Sequence, residues 1–150
     1  MLPADPEFER RCRESFARQT AMATLGMSLA EVEASRVVVA MRHRADLTQQ
    51  HGFVHAGILA TGLDTACGYA AFSLMAADAG VLTVEFKVNL LAPALGPDLA
   101  FEGIVTKGGR TLSVIDARAW QSGPEQRERK LVATMTATVM TITGRADVRQ

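Results

Sequence analysis

Residues 53–77 read FVHAGILATGLDTACGYAAFSLMAA, and the fold turns on this run. It is built mainly of Ala, Gly, Thr and Leu, and its single charge is Asp64. Nothing in it alternates with period two, and it far exceeds the length of an ordinary strand. A helix that is apolar all round must be covered on all sides. The run is long enough to span a bilayer. Asp64 at its middle, three internal glycines (Gly57, Gly62, Gly68) and strand-like sequence on both flanks argue instead for a buried core helix, and no membrane partner is expected.

Outward from this helix the pattern changes to strands. On its N-terminal side, residues 27–44 form a hairpin, with Ala30, Val32 and Ala34 alternating against Leu29, Glu31 and Glu33, and the β-prone Val37-Val38-Val39 after Ser35-Arg36. Residues 45–50 are a polar connection. On the C-terminal side, Leu82, Val84, Phe86, Val88 and Leu90 alternate strictly with Thr83, Glu85, Lys87 and Asn89, until Pro93 ends the strand. Residues 99–106 and 111–120 flank Lys107-Gly108-Gly109-Arg110, a hairpin turn. Ser122-Gly123-Pro124 marks another turn, followed by a charged stretch at 125–130. A last strand at 131–143 carries Thr134, Thr136 and Thr138 on one face. Asp5-Pro6-Glu7 caps an N-terminal helix striped by Phe8, Cys12 and Phe16, and Gly26 ends the connection after it.

This order makes a single α+β domain over residues 1–150, with 1–25 as an N-terminal helix and connection. A mostly antiparallel sheet must bury one face, and the long helix is its cover. The helix has more apolar surface than one sheet can hide, so a second copy of the chain is expected against it.

Composition narrows the function. The chain has 150 residues, 48% of them hydrophobic, with 16 Lys+Arg against 16 Asp+Glu. That is too apolar for a disordered protein, and zero net charge speaks against a nucleic-acid partner. Aromatics are only 5%, so the core must be filled by small and aliphatic side chains. Two cysteines make no disulfide framework, and Met1 begins a stretch without the basic-then-apolar order of a signal peptide. A cytoplasmic location is the expectation.

Chemistry gathers where Gln49-Gln50-His51-Gly52-Phe53-Val54-His55-Ala56-Gly57 leads into the helix. A carboxylate within an apolar helix is costly without partners, which marks Asp64 as a site residue. His55 and Asp64 are separated by about 900° of helical rotation, half a turn out of alignment, and by about 13 Å along the axis. They cannot pair within one chain; cooperation requires an interface. The first N–H groups of the helix, around Ala56 and Gly57, have no intrahelical acceptor and can polarise a carbonyl, and Gln49 can donate a further hydrogen bond. A carboxylate, an amide and backbone donors suit acyl transfer to water. Rival readings are weaker. His51 and His55 have the spacing of metal ligands, but Gly52 lies between them and Asp64 points away, so no metal is expected. Cys67 lacks a nearby base and reads as packing. Lys107 and Arg110 first mark a turn, although two cations with turn amides suit a phosphate.

The stretch 49–71, with VEFKVNLLAPA at 84–94 and GGRTLSV at 108–114, resembles the PaaI-like group of hotdog-fold thioesterases over residues 25–143 or so. The resemblance implies a hotdog fold, an antiparallel sheet wrapped around a long central helix, assembled as a homodimer or a dimer of dimers. It implies hydrolysis of acyl-CoA thioesters between subunits with no cofactor, CoA entering only as part of the substrate. Carried over by position, Asp64 matches the catalytic acid, as base or nucleophile. Gln49 matches the residue that orients carbonyl or water, and His55 the motif histidine that supports that loop. Ala56 stands where the family usually has the glycine whose N–H meets the thioester carbonyl. Thr83 resembles a water-positioning Ser/Thr, Arg110 lies near the expected CoA phosphates, and Gly57, Lys107 and Gly109 complete the expected substrate contacts. Ala56 adds a methyl group at the carbonyl site, and Gly68 lacks a hydroxyl that some relatives carry. A non-catalytic acyl-CoA-binding module is the alternative reading. An enoyl-CoA hydratase fits less well, because His55 and Asp64 do not pair in one chain.

Overall fold

The structure is a computed structural model and describes residues 1–123 and 129–148. Two short helices, α1 (Phe8–Ala17) and α2 (Thr20–Leu25), precede strands β1 (Met27–Glu33) and β2 (Arg36–Arg42). A 3-10 turn at Ala45–Leu47 leads to α3 (Ala56–Phe72). Strands β3 (Gly80–Leu90), β4 (Asp98–Lys107), β5 (Leu112–Ser122) and β6 (Arg129–Ile142) follow. All six strands form one sheet in the order β1-β2-β4-β5-β6-β3, every pair antiparallel. This is the expected α+β hotdog architecture. Of the turn expected at 122–124 and the charged stretch at 125–130, residues 124–128 lie outside the described residues.

Both expected hairpins form, β1–β2 through Ser35 at positive φ, and β4–β5 around Lys107–Arg110. The expected N-terminal helix is α1; the connection after it is not irregular but forms a second short helix, α2, which Gly26 ends with a left-handed C-cap. Asp5 is not the cap of α1: one of its oxygens accepts from Glu7 N and the other from Arg11 Nε. Arg11 then reaches Met75 O beyond the end of α3, so this pair ties the N-terminal segment to the central helix.

The central helix is shorter at both ends than its apolar run. Val54 is held by a bridge to Thr48, so the helix begins only after His55. At the other end the Ser73 hydroxyl donates to Ala70 O and accepts from Ser35 N, which ends the helix against the β1–β2 turn. Among the described residues no helix is long and apolar enough to cross a membrane. The sheet packs on α3 through Val37, Phe101, Ile115, Ala137 and Val139, all fully buried. Close approach is built in: a Cβ on Gly62 would lie 2.6 Å from the Phe101 ring, and one on Gly103 would lie 2.5 Å from Ala66 O. Burial on every side is only partly met within one chain. Phe16 and Ser15 of α1 cover Tyr69, while a stripe through Gly57, Thr61, Asp64 and Gly68 stays partly or fully open.

Two features of β3 differ from the simple pattern. It does not pair with β4, its successor; it lies at the far edge, beside β6. No tight turn links β3 to β4, so local sequence does not tie them together. The strict alternation is also broken. The register shifts between Thr83 and Glu85 relative to β6, a bulge at Val84. Thr83 pairs with buried Val139, whereas Glu85 pairs with Thr138 on the opposite face and accepts its hydroxyl hydrogen bond. Without the bulge, Thr83 and Glu85 would share a face; with it, Thr83 turns toward α3.

Candidate active site

The helix start is assembled by short-range bonds. Gly52 adopts φ +82°, which closes a turn in which Gly52 N donates to Gln49 O and Gln49 N donates to Phe53 O. His55 N donates to Leu47 O and Val54 N to Ala94 O, so two neighbouring loops hold the approach to α3. His55 is the N-cap: its Nδ1 accepts from Gly57 N at 2.9 Å. The acceptor role leaves the ring proton of neutral His55 on Nε2. The His55 carbonyl meanwhile accepts from Ile58 N and Leu59 N. Among the described residues this leaves Ala56 N as the first-turn donor without an acceptor. The donors expected around Ala56 and Gly57 thus reduce to one.

Ala56 borders a cleft of about 370 Å³ lined by Gln49, Phe53, Val54, Leu59 and residues 90–94. Its walls are apolar, and Gln49 brings the amide. Gln49 Oε1 accepts from His51 N, so its Nε2 is the end left to donate. His43, which sequence reasoning missed, bonds Gly52 O through Nε2 at 3.1 Å. Nothing local singles it out, since the contact runs from the residue just past β2 to the loop before α3.

Asp64 does not line this cleft. It lies further along α3, half-buried, and its Oδ1 accepts from Thr83 Oγ1 at 2.8 Å. Burial pushes its carboxyl above the ordinary value of 3.8, against the opposing pull of the Thr83 hydrogen bond. Thr83 and Asp64, both singled out in the sequence, are therefore in contact within one chain, while Gln49 and Ala56 stand apart from them. Cys67 is fully buried, and burial forces its thiol far up, so it is inert as a nucleophile. No cluster of His, Cys, Asp or Glu able to hold a metal occurs among the described residues.

The Lys107–Arg110 turn sits at the other end of α3. A Cβ on Gly108 would lie 3.5 Å from Leu74, just past that helix. The 17 residues of α3 span about 25 Å, so this turn and the Ala56 cleft of the same chain are far apart. Lys107 and Arg110 are exposed and make no ion pair among the described residues. Gly109 N donates to Ser113 Oγ, so this amide is already used.

A six-stranded antiparallel sheet curled on one central helix, with a polar group set into that helix and a cleft at its start, defines a hotdog-fold protein. The chain belongs to the thioesterase superfamily, whose sequence pattern matches residues 51–128. A thioesterase family protein from Silicibacter pomeroyi is similar over 91% of this chain and 99% of its own, with 52% identity and a TM-score of 0.88. The Escherichia coli PaaI protein of the phenylacetic acid degradation operon shares the fold, with a TM-score of 0.79 at 21% identity over 92% and 95% of the two chains. A candidate esterase of Saccharolobus solfataricus is 30% identical over 92 residues, 61% of this chain and 65% of that protein, so the match spans less than two thirds of this relative.

Proposed function

We propose that the protein hydrolyses acyl-CoA thioesters at a site shared by two subunits, with no metal or cofactor. The observation that carries this reading is the separation, within one chain, of a desolvated carboxylate on the open stripe of α3 from the cleft that holds the Ala56 N–H and the Gln49 amide. A second copy brings its own Asp64 to that cleft. The edge strand supports such a pairing: on β3, Leu82, Val84, Phe86 and Leu90 are 44%, 54%, 43% and 52% exposed. An apolar unpaired edge of this kind is a template for another chain.

In this arrangement the acyl carbonyl oxygen takes the Ala56 N–H, with the Gln49 amide beside it, and negative charge growing there is stabilised. Asp64 of the other subunit serves in one of two ways. As a base it removes a proton from water, the water oxygen bonds to the acyl carbon, the C–S bond breaks, and the proton goes to the CoA sulfur. As a nucleophile its carboxylate oxygen displaces the thiolate to form an anhydride, which water then opens. Thr83 holds the carboxylate oriented in either route. Lys107 and Arg110, at the end of α3 remote from the cleft of their own chain, are suited to the phosphates of CoA bound at the partner's cleft.

The test is free-thiol release from acyl-CoA substrates with short, long and aromatic acyl groups. Turnover is expected, and Asp64→Ala should lower kcat by about 100-fold or more while leaving circular dichroism and light scattering unchanged. Binding without thiol release would place the chain among acyl-CoA-binding modules and refute the hydrolase. Unchanged turnover in the variant would remove Asp64 from the mechanism.

A further inference from the structure

Residues 91–97 connect β3 to β4, and their first part is a wall of the Ala56 cleft. Three backbone groups of this loop converge on one side chain of β5. Gln121 Oε1 accepts from Leu95 N at 2.8 Å and from Gly96 N at 2.7 Å, and Gln121 Nε2 donates to Pro93 O at 3.3 Å. The loop is also shaped around it. A Cβ on Gly96 would lie 3.0 Å from Gln121 Cβ and 2.8 Å from Ser122 O, so the backbone passes at a distance only glycine permits. Within this clasp sits Ala94, 1% exposed, whose carbonyl accepts from Val54 N at 2.9 Å. Val54 is two residues ahead of Ala56, which borders the cleft and whose N–H has no acceptor among the described residues.

We propose that Gln121 is a positioning residue: it clasps the 93–96 loop and, through the Ala94–Val54 hydrogen bond, fixes the start of α3 that presents the Ala56 N–H. The side chain suits this task because it accepts twice and donates once from one end. Glutamate keeps the acceptors and loses the donor. Methionine fills a similar volume and offers neither. A donor aimed at developing charge acts only if it is held in place beforehand, so loosening the clasp should cost turnover more than binding. The kinetic consequence rests on the thioesterase reading; the coupling from Gln121 to Val54 can be measured without any substrate.

The experiment compares Gln121→Met and Gln121→Glu with the wild-type chain, using site-resolved amide exchange by NMR and steady-state hydrolysis of the best acyl-CoA of the panel. In Gln121→Met, exchange at Leu95, Gly96 and Val54 should quicken by about tenfold or more. Its kcat should fall by about tenfold, with KM changed by less than about threefold. Gln121→Glu should keep protection at Leu95 and Gly96 and recover kcat to within about threefold of wild type. Should Gln121→Met not fold, Gln121→Asn, one carbon shorter with the same amide, takes its place with the same expectations. Faster exchange at Leu95 and Gly96 with Val54 unmoved would overturn the coupling. So would an undiminished kcat in Gln121→Met, or equal losses in Met and Glu. If the wild-type chain releases no thiol, the thioesterase reading falls, and exchange at Val54 alone decides the role of Gln121.

Discussion

Asp64 is a residue the fold keeps at a cost. Its carboxyl is raised above 3.8 chiefly by burial, and the Thr83 hydrogen bond opposes that shift without cancelling it. A raised folded pKa means that the native state holds the proton more tightly than the unfolded chain does. Stability is therefore undiminished by this group below the unfolded value, falls as pH rises through the interval up to the raised folded value, and stays lowered above it. Asp64→Asn keeps an oxygen for Thr83 and removes the charge. At neutral pH its melting temperature should exceed that of wild type by a few degrees, on the order of what a modest stability gain produces in a chain of this size. The difference should shrink toward zero as pH falls below 3.8. Thermal scans from acid to neutral pH at one protein concentration check this, and a wild-type advantage at neutral pH would reverse the sign. Asp64 was legible in the sequence because a lone charge in an apolar helix is conspicuous. Thr83 rests on the resemblance alone, because strict alternation puts it on the face of Glu85. Its contact with Asp64 depends on the bulge at Val84, and a bulge has no signature in a pattern that alternates perfectly. His43 and Gln121 are not legible at all, because each bonds backbone groups of a loop, nine residues on for His43 and at least 25 residues back for Gln121, with no periodicity or motif to announce the contact.

Among the elements, α3 and β4 are joined by the absence of side chains. Gly103 on β4 lies under the α3 backbone, where a Cβ would come within 2.5 Å of Ala66 O and 2.9 Å of Cys67 N. Neither neighbour is a flexible side-chain tip, so the helix would have to lift. Gly103→Ala should destabilise the protein by about 1–3 kcal/mol, seen as a lower urea midpoint; an unchanged midpoint would show that α3 slides without cost. The scarcity of aromatics in the sequence predicts such close packing in general, but the pairs that meet depend on strand order. That order is not written in the local sequence. The β1–β2 and β4–β5 hairpins announce themselves through their turns, whereas β3 reaches β6 over a connection that carries no pairing signal. The same limit applies to the ends of α3. The apolar run covers 53–77, yet Val54 is claimed by Thr48 and Ala94, and Ser73 by Ala70 and Ser35. Tertiary hydrogen bonds cut the helix shorter than its hydropathy.

For the whole molecule the decisive question is whether one chain is half a site. Within a chain, α3 holds Asp64 on an open stripe away from the cleft that contains Gln49 and Ala56, and the Lys107–Arg110 turn is past the far end of that helix. On the shared-site reading the join is the β3 edge, whose apolar side chains are exposed. If cleft and carboxylate come from different copies, two inactive variants can repair one another. Asp64→Ala keeps an intact cleft, and Gln49→Ala keeps an intact carboxylate. Co-expressed in equal amounts, they form mixed dimers in which one site combines the good half of each chain and the other combines both defects. Random pairing makes about half of all dimers mixed, with one working site of two, so activity should recover to about a quarter of wild type. Each variant by itself should stay near background, and mixing the purified proteins should restore activity only as fast as subunits exchange. If each chain carried a complete site of its own, the mixture would remain as inactive as its components. A second substitution separates assembly from chemistry. Phe86→Lys places a charge on the β3 edge, so the same co-expression with both chains carrying it should yield monomers by light scattering and no recovery. Recovery from monomeric chains would contradict the shared site directly.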